Sequence, residues 1–157
     1  MNGKDVVRRV AIGSDHGSFR QKETVRRCLE TNGYRVVDVG CHDESKVDYP
    51  DIALAVCRKV VSGDCERGIV IDCAGIGSCI AANKVKGIRA ATCHDLKTVI
   101  NSREHNDANV LALSGAAQAM EDLCVMAKTW LETPFAGGRH TIRVNKIIAM
   151  ERGGFGA

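Results

Sequence analysis

Short apolar runs rich in β-branched residues alternate with helix-patterned segments along almost the whole chain, and this alternation limits the fold more than any other feature. Residues 6–13, 34–39, 68–71, 89–92 and 109–113 read as five strands. Helices are expected over 19–32, 51–61, 76–84 and 95–103, with two more, 117–132 and 140–150, after the last strand. Met120, Leu123, Ala127 and Leu131 form one apolar stripe on the fifth of these helices. Parallel strands need crossover connections, so strands separated by helices predict an α/β fold. The expected architecture is a single-domain three-layer αβα sandwich. Its five-stranded parallel sheet is doubly wound and Rossmann-like, and a C-terminal helix follows. One domain over 1–157 suits the length, with residues 153–157 expected as a disordered tail.

The segment Ile69-Val70-Ile71-Asp72-Cys73-Ala74-Gly75-Ile76-Gly77-Ser78 ends a buried strand in a glycine turn and starts a helix at once. Such a turn directs main-chain N–H groups and the positive helix end into a crevice. Asp72 at its mouth reads either as a cap for the next helix or as a base that moves a proton between adjacent carbons. Dinucleotide binding is disfavoured, because the turn lacks the third glycine of that fingerprint.

Parallel sheets bind ligands beyond the carboxyl ends of their strands. Asp15 and His16 follow the first strand, Asp72 the third, and His94 and Asp95 the fourth. His105 and Asn106 lie in a polar connection just before the fifth strand, a pattern that suits a binding loop. Gly138-Arg139-His140 with Arg143 opens the last helix, and two arginines four residues apart share one face there, as a solvated basic face or a phosphate clamp. A net charge of +3 and 4% aromatic residues exclude a nucleic-acid surface. No apolar run approaches the roughly 18 residues that span a bilayer. Eight cysteines include no Cys-x-x-Cys pair, which predicts reduced thiols and a cytoplasmic protein. Trp130 and the methionines are expected in the core.

Six stretches together resemble the ribose-5-phosphate isomerase type B family, whose relatives include galactose-6-phosphate isomerase subunits. They are Gly13-Ser14-Asp15-His16-Gly17, Val47-Asp48-Tyr49-Pro50, Gly75-Ile76-Gly77 with Ile80-Ala81-Ala82-Asn83-Lys84, Gly87-Ile88-Arg89-Ala90-Ala91, residues 102–110, and Gly138-Arg139-His140 with Arg143. The resemblance implies aldose–ketose interconversion of a phosphosugar through an enediolate, with no metal or organic cofactor. It also implies a homodimer or dimer of dimers with the active site at the subunit interface. Asp72 then takes the place of the base and His105 that of the ring-opening group. Asp15 contacts sugar oxygens, Tyr49 lines the pocket, and Asn106, Gly75 and Gly77 steady the enediolate. Ser78 borders the substrate, and His16, Arg139, His140 and Arg143 hold the phosphate. The chain departs from the family at Asp72, where many members have cysteine, and at Ser78, where some have glutamate. Ala74 and Ala116 replace a hydroxyl residue and an arginine. These departures leave two alternatives, an isomerase of another phosphosugar such as a six-carbon aldose phosphate, and a catalytically silent phosphosugar-binding subunit.

Overall fold

Five parallel strands make one sheet in the order β2-β1-β3-β5-β4. They are β1 (Arg9–Ser14), β2 (Arg35–Asp38), β3 (Arg67–Asp72), β4 (Ala90–Thr92) and β5 (Val110–Ser114). A computed structural model of the chain describes residues 7–153, so Val6 and most of the expected tail lie outside the described residues. Six helices are described: α1 (Phe19–Thr31), α2 (Tyr49–Val61), α3 (Ile76–Ala82), α4 (Leu96–Glu104), α5 (Met120–Glu132) and α6 (Arg139–Glu151). The fold class read from the sequence is the one observed.

Alternation along the strands builds two cores. Val10, Ile12, Ile69, Ile71, Leu111 and Leu113 face α1, α4 and α5, where Leu29, Val99, Leu123 and Trp130 meet them. Smaller residues, Ala11, Val70, Val110 and Ala112, face the opposite way and pack on Ala53 and Val56 of α2 and Ala82 of α3. The register sets Ile12 beside Ile69 and Ile69 beside Leu111, so the larger side chains share one layer.

Several boundaries differ from expectation for local reasons. Helix α2 begins at Tyr49, since Pro50 in a first turn lacks only an N–H that the helix does not use. Helix α5 begins at Met120 rather than at 117, because the Ser114 hydroxyl takes the Ala117 amide at 3.0 Å and holds a turn first. Met126 is buried, but Met120 and Met150 are 38% and 47% exposed, which corrects their assignment to the core. No described helix is long and apolar enough to cross a membrane.

The expectation of reduced thiols is also corrected. Cys28 of α1 and Cys124 of α5 are disulfide-bonded with Cα atoms 6.2 Å apart, while the other six cysteines are free. The two helices are neighbours in one layer although the cysteines are 96 residues apart, a proximity that sequence spacing does not reveal. Closing so long a loop restricts the unfolded chain by about 2–5 kcal/mol. Cys124→Ser is therefore expected to lower the calorimetric melting temperature by about 5–15 °C. An unchanged midpoint would show that the bond contributes nothing.

Candidate active site

The expected site residues fall into two groups at opposite edges of the sheet. The first lies at the carboxyl ends of β1 and β3. Asp72 ends β3 and is 5% exposed, on the same face of the strand as Val70 and directed toward α3. Its Oδ1 accepts the amides of Ala74, at 2.9 Å, and of Gly75, and its Oδ2 accepts the Ser78 amide at 2.8 Å. The cap and the site reading thus describe the same atoms: the carboxylate organises the turn that surrounds it. A carboxylate offers about four lone-pair positions, so three donors leave one open, on Oδ2.

In this network the Gly75 N–H is engaged by Asp72. The amides without an intrahelical acceptor are those at the start of α3, Ile76 and Gly77. Gly75 has φ +74°, and a Cβ there would come within 2.9 Å of Thr92 Oγ1. At Gly77 a Cβ would lie 2.7 Å from the Tyr49 ring, so the absent side chain lets that ring close over the turn. Ser78 is buried and joins the site through its amide.

Asp15 Oδ1 accepts the Ser18 amide at 2.9 Å, capping a short 3-10 turn at His16–Ser18, and the Asp15 N–H donates to the Ile71 carbonyl at 3.2 Å. The turn after β1 is thereby fastened to the end of β3. His16 Nδ1 lies 3.3 Å from the Val47 carbonyl oxygen, two residues before Tyr49. Sequence reasoning missed the support below. Lys22 is fully buried and donates to Asp38 at 2.5 Å and to the Cys41 carbonyl at 2.6 Å. It pins the segment after β2 beside Asp15. The signal was present, since Lys22 lies on the same helix face as Val25 and Leu29.

The second group lies at the amino edge. Helix α4 starts beyond the carboxyl end of β4 and returns to the start of β5, and His105 caps its far end. Asn101 Nδ2 is 2.8 Å from His105 Nδ1; an amide N–H given there leaves the ring proton on Nε2. Asn106 Nδ2 donates to Asn101 at 3.3 Å. The His105 ring stacks on His140 of α6, with centroids 4.1 Å apart and planes inclined by 8°. Burial, followed by the nearby His105, Arg139 and Arg143, pushes the His140 pKa below the ordinary histidine value. Arg139 and Arg143 stand exposed one turn apart on α6.

The two groups do not meet within one chain. A six-residue strand spans about 20 Å, and that length of sheet lies between Asp72 and the loop of His105. Of the polar residues noted after β4, Asp95 is spent on a capping box with Thr98.

A model of the Ribose/Galactose Isomerase family matches residues 10–147. Ribose-5-phosphate isomerase B of Escherichia coli is 37% identical over 146 residues, covering 93% of this chain and 98% of that protein. Ribose-5-phosphate isomerase B of Clostridium thermocellum superimposes with a TM-score of 0.90 at 47% identity, covering 92% of this chain and 98% of the other. That of Mycoplasma genitalium, solved with bound ribulose-5-phosphate, gives a TM-score of 0.87 at 38% identity, with coverages of 92% and 96%. The match runs from β1 into α6 and so takes in both residue groups: the chain belongs to the ribose/galactose isomerase family.

Proposed function

We propose that the protein interconverts an aldose phosphate and its ketose, of the ribose 5-phosphate and ribulose 5-phosphate type, at a site shared by two copies of the chain. The observation that carries this reading is the amide-bound carboxylate of Asp72, in a fold shared with a relative that holds ribulose-5-phosphate. In the open-chain aldose, Oδ2 of Asp72 takes the C2 proton. The released electron pair forms the C1–C2 double bond and places negative charge on O1, which the Ile76 and Gly77 amides meet. Return of the proton to C1 and transfer of the O2 proton to O1 give the ketose.

A second copy supplies the other half. His105 of the partner subunit gives its Nε2–H as a hydrogen bond to the ring oxygen while the C1–O bond breaks and the O1 hydroxyl proton passes to that oxygen. Arg139, His140 and Arg143 of the partner subunit clamp the phosphate. Exposed apolar side chains support a two-fold dimer: Ile80 of α3 and Ile142 of α6 are 58% and 64% exposed, and Ile76, Ile147 and Met150 lie on the same two helices.

A panel of five- and six-carbon sugar phosphates, followed by exchange of the C2 proton in deuterated water, tests the reaction. Exchange and turnover with one of them are expected. Binding without exchange favours a silent phosphosugar-binding subunit, a reading that the three amide bonds on Asp72 also suit. Arg143→Ala is expected to raise KM about 10- to 100-fold, the usual loss for a charge-assisted bond. An unchanged KM removes Arg143 from the clamp.

A further inference from the structure

Behind His105 two arginines converge on one carboxylate. Arg89 gives its NH2 group to Asp107 Oδ2 at 3.0 Å and its Nε–H to the Asp107 carbonyl at 3.0 Å. Arg103 gives its NH1 group to Asp107 Oδ1 at 2.8 Å and to the Ala108 carbonyl at 2.6 Å. Both carboxylate oxygens are thus engaged by guanidinium groups from separate elements, the approach to β4 and the last turn of α4. Asp107 has φ +46°, and it is the non-glycine residue with positive φ among the described residues. A left-handed residue here turns the chain sharply out of α4, so the preceding pair, His105 and Asn106, projects from the corner.

The same network reaches the connection between α5 and α6. Arg103 Nε donates to the Thr133 carbonyl at 3.3 Å, and the Ala136 amide donates to the Glu104 carbonyl at 3.0 Å. The buried Arg103 guanidinium also lies 5.9 Å from the Trp130 ring, whose Nε1 donates to Ser102 at 3.1 Å. One fastening therefore fixes the corner that carries His105 and ties it to the segment leading to His140.

We infer that Asp107, clamped between Arg89 and Arg103, is a positioning residue that holds His105 for opening of the sugar ring. This rests on the isomerase reading above. Asp107 itself touches no reacting atom. Because ring opening and carbon-bound proton transfer are separate steps, a positional fault at His105 slows the first and spares the second.

The test uses Asp107→Asn, which tolerates positive φ but removes the negative charge. An aldopentose 5-phosphate enters largely as a closed ring. A ketopentose 5-phosphate cannot close a five-membered ring, because its C5 oxygen carries the phosphate. Turnover of saturating aldose is expected to fall about tenfold or more, part of the 10²–10⁴-fold that acid–base groups contribute. Exchange of the ketose C1 protons in deuterated water is expected to stay within about twofold of the unaltered protein. Equal loss of both rates, or loss of neither, overturns the inference. Should Asp107→Asn fail to fold, Arg89→Met is expected to give the same split, and its absence there is equally decisive. If the unaltered protein exchanges no ketose proton, the isomerase reading falls and this inference with it.

Discussion

Asp72→Asn is expected to reduce turnover by about 10²–10⁴-fold, the range that a positioned acid–base group contributes. The amide keeps an oxygen for the Ala74 and Gly75 N–H groups, but it cannot take up a proton. It also turns an NH2 group toward the Ser78 amide, which now donates to Oδ2 at 2.8 Å. An opposed pair of buried donors costs about 1–3 kcal/mol, so some stability is lost as well. Asp72→Cys separates the two effects. It weakens the same turn contacts, yet a thiol can exchange a proton. Measurable turnover in Asp72→Cys and none in Asp72→Asn identifies position 72 as the base. Turnover of Asp72→Asn within about twofold of the unaltered protein would assign Asp72 to the turn alone.

Mixed dimers are expected to recover activity that neither parent has. Asp72→Asn damages the carboxyl-edge group, and His105→Ala damages the amino-edge group. Each homodimer then carries two broken sites. In a dimer of one copy of each, one site combines both faults and the other draws only intact residues. Random pairing of equal amounts makes half of the dimers mixed, so co-expression is expected to restore roughly a quarter of normal activity. A co-expressed sample no better than its parents would place all reacting groups on one chain. Recovery needs no new contact, only the exchange of intact halves.

The fold was legible because its strands are continuous β-branched runs and its helices carry apolar stripes; tertiary packing moved only the boundaries. The turn at Asp72 was legible as well, since a strand, two glycines and a helix leave few paths for the chain. Which of its amides remain available was not, because the carboxylate consumes Gly75 and Ser78 only once the turn has closed. The separation of His105 from Asp72 follows from chain direction: a residue before a parallel strand and a residue after one stand at opposite edges. The disulfide and the clamp on Asp107 depend on elements distant in sequence. Arg89 and Asp107 are 18 residues apart and meet because β4 and β5 are adjacent.

On the proposed shared-site reading, the length of the sheet that keeps Asp72 and His105 of one molecule apart leaves a lone folded polypeptide with only half of its reacting groups. On that reading a second copy completes the set, and output per molecule is expected to rise with abundance.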